Sequence, residues 1–101
     1  MDKNIDIDYL DDSLNFTTVS EFEWCMNSGG EIEFYWKGKL YCAFGKLQRE
    51  PNSNIQMYIS EANKPETEKW CDNVDEVLDY IVGGDMLRDV ITKVKVWDRT
   101  I

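Results

Sequence analysis

This chain contains no histidine. That removes the commonest general base and the commonest zinc ligand, and it leaves any cysteine nucleophile without its usual imidazole partner. Cysteine is scarce too: Cys25, Cys42 and Cys71 are widely spaced, odd in number and include no C-x-x-C pair. Such spacing argues against a disulfide framework and against a zinc site. The three read as small buried or half-buried residues in a reducing compartment. No apolar run approaches the roughly 18 residues of a membrane span. The start, MDKNIDIDYLDD, lacks the basic-then-apolar layout of a signal peptide, so a cytoplasmic location is the expectation. A glycine-rich phosphate loop is also missing, because Gly29-Gly30 and Gly83-Gly84 are isolated pairs placed where helices are expected to end. No cofactor is implied.

Positive charge is in short supply. The net charge over 101 residues is −9, the sign opposite to that of a bare nucleic-acid binder. The excess is unevenly placed. Residues 1–36 hold nine acids against the single base Lys3, a net of −8, whereas residues 37–101 hold eleven acids against ten bases. A block of this kind marks an interaction surface or a solvated tail. Hydrophobic content of 43% is ordinary for a globular protein, and the length suits one domain with a modest core. We divide the chain into an acidic arm over residues 1–15 and a single α+β domain over residues 16–101.

Within the domain, Thr18-Val-Ser-Glu21 fits a capping box and opens a helix whose Val19, Phe22 and Met26 share one face. Gly29 or Gly30 ends it. Trp24 falls on the far side, either under the acidic arm or exposed as an anchor for a partner. Residues 31–36 alternate, with Ile32, Phe34 and Trp36 on one side and Glu31, Glu33 and Tyr35 on the other. A two-residue turn at Lys37-Gly38 sets Tyr41 opposite Phe34 and Ala43 opposite Ile32. Leu40, Cys42 and Phe44 then join Tyr35 on the face that bears the two glutamates. Ile55, Met57 and Ile59 give a third strand, and Glu68 to Asp72 a short fourth. Asn73-Val-Asp-Glu76 opens a second helix with the stripe Val74, Val77, Leu78, Ile81 and Val82, ended by Gly83-Gly84. Asp85 is placed to cap a third, with Leu87, Val90, Ile91 and Val94. Residues 93–101 fit either a strand or a continuation of that helix. The expected architecture is one helix, an antiparallel meander of three or four strands, then two helices packed on one face of the sheet.

Few residues carry a chemical signature. Glu31 and Glu33 share a strand face, but with twenty acids in the chain a pair of this kind reads first as solvated surface. Asp6, Asp8, Asp11 and Asp12 miss the EF-hand order, having no glycine at the sharp turn and no closing glutamate. No catalytic residue and no metal ligand is assigned. The candidate partner-binding set is Asp6, Asp8, Asp11, Asp12, Glu21, Glu23, Trp24, Glu31, Glu33 and Tyr35, acids to steer and aromatics to anchor.

The run from Phe22 through Tyr41, centred on GGEIEFYWKGKLY, and the later YISEANKP (residues 58–65) resemble small uncharacterised proteins of Gram-positive bacteria and their mobile elements. These motifs describe a helix end, a hairpin and a strand, and they transfer no catalytic residue. In organisation alone the acidic α+β chain is similar to phage anti-CRISPR proteins that imitate DNA, an analogy of fold rather than of site. The expected function is a non-enzymatic inhibitor or modulator that engages a basic, nucleic-acid-binding surface of a protein partner. It would have no direct nucleic-acid or membrane contact. The alternatives are an immunity protein that neutralises a basic toxin, or a structural domain that self-associates as a homodimer through its sheet.

Overall fold

The computed structural model describes residues 12–101, and its architecture is α+β. The first helix, α1 (Val19–Asn27), is followed by β1 (Glu31–Trp36), β2 (Lys39–Gln48), β3 (Ile55–Glu61) and β4 (Lys69–Cys71). Then come α2 (Val74–Leu78), the short strands β5 (Ile81–Val82) and β6 (Asp85–Met86), α3 (Leu87–Val90) and β7 (Lys95–Arg99). Five strands form one antiparallel sheet in the order β4-β3-β2-β1-β7, and β5 pairs with β6 apart from it.

The β1–β2 hairpin has the expected register, Phe34 against Tyr41 and Ile32 against Ala43. Its turn places Lys37 and Gly38 both at positive φ, the type I′ geometry whose twist matches that of paired strands. The apolar side of the hairpin, with Met57, Ile59, Cys71 and Val96 from the flanking strands, packs on Phe22, Cys25 and Met26 of α1 and on Val77, Leu78, Leu87, Val90, Ile91 and Val94. One face of the sheet is thus the core face, and the other is open among the described residues.

Both capping boxes form, shifted by one residue. The Thr18 hydroxyl accepts the Glu21 N–H at 3.0 Å, but Glu21 reaches back to the N–H of Thr17 at 2.8 Å rather than to the cap residue itself. Asn73 and Glu76 repeat the arrangement, with Glu76 accepting from the N–H of Asp72. The first helix closes at Ser28, and Gly29 carries the left-handed φ that follows.

The expectations for residues 79–101 need three corrections. The second helix stops at Leu78, and Gly83-Gly84 is the turn of the β5–β6 hairpin, both glycines at positive φ. Ile81 therefore leaves the core stripe and is 56% exposed, while Val82 beside it is buried. Asp85 caps no helix: its carboxylate accepts Trp36 Nε1–H at 3.0 Å and pairs with Lys37 at 2.9 Å, tying the small hairpin to the end of β1. The last residues form strand β7 beside β1, giving the sheet five strands where three or four were expected.

The end of the arm packs along that fifth strand. Asp12 pairs with Lys95 at 2.7 Å, Asn15 Oδ1 accepts the Val96 N–H at 2.8 Å, and Phe16 inserts into the core edge-on to Phe22. Arg99 closes the junction. Its guanidinium lies 4.4 Å from the Phe16 ring centre, donates to the Leu14 carbonyl and pairs with Glu21 at 2.9 Å. Donation from Thr17 N–H, helped by Arg99, holds the Glu21 carboxyl below its ordinary 4.5. A carboxyl depressed in the folded state contributes stability that is present above the unfolded value and lost as pH falls through the folded one. Compared by thermal unfolding, the advantage of wild type over Glu21→Gln is expected at neutral pH and to shrink on acidification below 4.5. An advantage that stays constant from pH 7 to about 3 would show that Glu21 contributes no such linkage.

Candidate protein-binding face

The open face of the sheet divides into two halves. On β2, β3 and β4 the side chains of Phe44, Tyr58 and Trp70 form a continuous row, with ring centres 5.8 Å and 5.0 Å apart. Arg49 lies 5.1 Å over the Trp70 ring, and the Tyr58 hydroxyl donates to Glu68 at 2.9 Å. Burial pushes the Tyr58 phenol up, so it stays protonated as that donor at neutral pH. Cys42 and Ser60 sit opposite one another here, sulfur to oxygen 3.4 Å. This half is covered largely by its own packing, although the Trp70 Nε1–H is buried without a hydrogen-bond partner among the described residues.

The other half belongs to β1 and β7 and is acidic. Glu31 and Glu33 project from β1 as the alternation requires, and Asp98 of β7 lies directly across from Glu33. With Ile32 and Phe44 they line a depression of about 250 Å³. Tyr35 follows on the same strand face, its ring edge-on to Trp97 with centres 6.2 Å apart. Asp98 and Trp97 are neighbours in the chain, and regular alternation would send them to opposite faces. A bulge opposite Glu33 and Phe34 intervenes, because Asp98 pairs with Glu33 and Val96 with Phe34, leaving Trp97 as the extra residue. Val96 stays in the core, Trp97 and Asp98 both face outward, and Arg99 returns to the helical side to meet Phe16 and Glu21.

None of the three carboxylates has an ion-pair or side-chain hydrogen-bond partner among the described residues. Lys95 lies across from Tyr35 on this same face but pairs with Asp12, and Arg99 pairs with Glu21. Like charges directly opposed across two strands are destabilising. Glu33 and Asp98 are such an opposed pair, with Glu33 half-buried and Asp98 exposed to solvent.

Of the candidate residues read from the sequence, Glu31, Glu33 and Tyr35 are brought together here. Asp12 and Glu21 lie at the arm–β7 junction in ion pairs with Lys95 and Arg99. Glu23 and Trp24 sit on α1, whose buried face packs on the other side of the sheet, and Trp24 is 60% exposed. Asp6, Asp8 and Asp11 lie outside the described residues. Asp98 and Trp97 join the site unanticipated by sequence reasoning. Had residues 95–99 been read as a strand beside β1, the two would still have been split between faces, since the bulge leaves no sequence signature.

No family model matches this chain, and neither a curated protein nor a solved structure does.

The chemistry of this face is one of charge and contact. Among the described residues no group of cysteine, aspartate and glutamate side chains converges to hold a metal ion. Burial pushes the Cys25 and Cys71 thiols up, which suppresses the thiolate form a nucleophile needs. No helix among the described residues is long and apolar enough to cross a membrane. What the face offers is three uncompensated carboxylates beside two aromatic rings.

Proposed function

We propose that this chain is a non-enzymatic inhibitor or modulator whose open sheet face engages a basic, nucleic-acid-binding surface of a protein partner, its carboxylates standing where phosphates would lie. The observation that carries this reading is the set Glu31, Glu33 and Asp98, unpaired around one depression and flanked by Tyr35 and Trp97. Carboxylates on a rigid strand pair keep their spacing when a partner arrives, so little ordering entropy is lost on binding. A partner's cations would supply the compensation that the sheet lacks, and the field of an acidic chain would speed the encounter.

The test joins binding to stability. Wild-type protein, immobilised and presented with cell extract, is expected to retain a basic nucleic-acid-binding protein that added duplex DNA displaces. Changing Glu31 and Glu33 to Gln together with Asp98 to Asn should weaken that capture about tenfold or more at low salt. The loss should shrink toward physiological ionic strength and above, where exposed charges are screened over about 8 Å. The same variant should stay folded and gain a few tenths of a kcal/mol, because the opposed like charges are gone. Unchanged capture at low salt would remove this face as the binding site.

A further inference from the structure

We infer that the acidic half of the open face selects arginine over lysine, and that its partner presents guanidinium groups from a cationic surface segment. This rests on the binding role proposed for the same face and adds the chemistry of what it recognises.

The argument starts from the bulge in β7. By sending Trp97 and Asp98 to the same side, it places a carboxylate and an indole on consecutive residues, across from a strand that presents Glu33 and Tyr35 in the same alternation. Each strand thus contributes one acid and one ring: the acids line the depression with Glu31 and Phe44, and the two rings are the next groups along the strands. The rings meet edge-on at 81°, with Tyr35 half-buried and Trp97 42% exposed.

The two candidate cations differ in what they ask of such a surface. An ammonium is a compact, strongly hydrated point charge, and a carboxylate anywhere nearby suffices for it. A guanidinium is planar and more weakly hydrated, pairs with carboxylates in a fork and stacks on aromatic faces. A face carrying acids alone would attract both. Either cation gains from a ring face, but only the planar guanidinium stacks on it while forking to a carboxylate, so paired acids and rings at one place favour the guanidinium. Both cations meet a carboxylate and a ring within this chain, and the guanidinium lies closer: Arg99 pairs with Glu21 and sits 4.4 Å from the Phe16 ring centre, whereas Lys37 pairs with Asp85 and sits 5.9 Å from the Trp36 ring centre.

The experiment uses the full chain and two synthetic peptides of equal length and charge, one alternating Arg with Ser and the other Lys with Ser, titrated at low and at physiological salt. Tryptophan fluorescence is followed alongside calorimetry, and Trp97→Ala identifies the part of the signal that belongs to Trp97 among the four tryptophans. The arginine peptide is expected to bind at least about threefold tighter, the increment of one exposed cation–π contact and a carboxylate fork. Trp97→Ala should bring the two affinities together by weakening the arginine peptide more than the lysine peptide. Glu33→Gln should weaken both. Trp97 is exposed, so the variant is expected to fold, and far-UV circular dichroism checks it. Equal affinities for the two peptides in wild type would overturn the arginine preference and leave the basic-surface reading standing. Binding of neither peptide would overturn both. Self-association that competes with the peptide, seen by sedimentation, would assign the face to a second copy and overturn the inference.

Discussion

Truncation of Phe34 to alanine is expected to remove about 3–5 kcal/mol of stability. Phe34 is fully buried in β1, which lies between β2 and β7, and its ring stacks on Tyr41 with centres 5.4 Å apart and planes 19° from parallel. The strands beside it and the helices above it are joined to this position from several directions, so the void left by the ring collapses poorly. Domains of this size are stable by about 5–15 kcal/mol in all, and the variant should be marginal at room temperature. Urea unfolding measures it, and a loss below about 1 kcal/mol would mean that the ring is not the centre of the core.

Gly45→Ala is expected to cost at least about 3 kcal/mol, at or above the usual range for overpacking. Gly45 has an ordinary negative φ, so the cost is not one of backbone conformation. It arises from a close approach. The Gly45 N–H donates to the Gly30 carbonyl at 2.8 Å, and a methyl group there would lie 2.9 Å from the carbonyl carbon of Met26 and 3.1 Å from Gly29 Cα. These are main-chain atoms at the end of α1, which cannot swing aside as a flexible side chain would. Gly45 lies within the β2–β3 register shift between Phe44 and Leu47, where regular pairing is interrupted. A drop of less than about 1 kcal/mol in denaturant titration would show that the helix end gives way. Nothing in the residues around Gly45 says which distant neighbour requires a glycine there.

The candidate site was legible in part. Glu31, Glu33 and Tyr35 follow from strict alternation in EIEFYW, and the Lys37-Gly38 turn carries Leu40, Cys42 and Phe44 to their side. Alternation and turn length are local properties, and they survive whatever the rest of the chain does. Asp98 and Trp97 were not legible, because they reach the site through a pairing between residues more than sixty positions apart and through a bulge within it. Glu21 looked like one more surface acid until the fold brought Arg99 across to it.

By itself the sequence determined the α+β class, the start of each longer helix, the hairpin register and the core face of the sheet. It also determined the exclusion of imidazole chemistry. Each of these rests on neighbours within a few residues, such as a cap with its third residue, or side chains two or four apart. The tertiary structure decided the tail of the chain. The stripe through Val77, Leu78, Ile81 and Val82 fits a helix as well as it fits what is there, and Gly83-Gly84 suits a helix end and a type I′ turn alike. The choice fell to distant partners: the Tyr41 hydroxyl accepting the Gly83 N–H at 3.1 Å, and Trp36 and Lys37 holding Asp85. Likewise Val94 and Val96 suit a helix or a strand until β1 offers an unpaired edge. Backbone N–H and C=O groups at such an edge gain partners only when a strand lies beside them, and that gain is invisible to any window of sequence that holds one strand without the other.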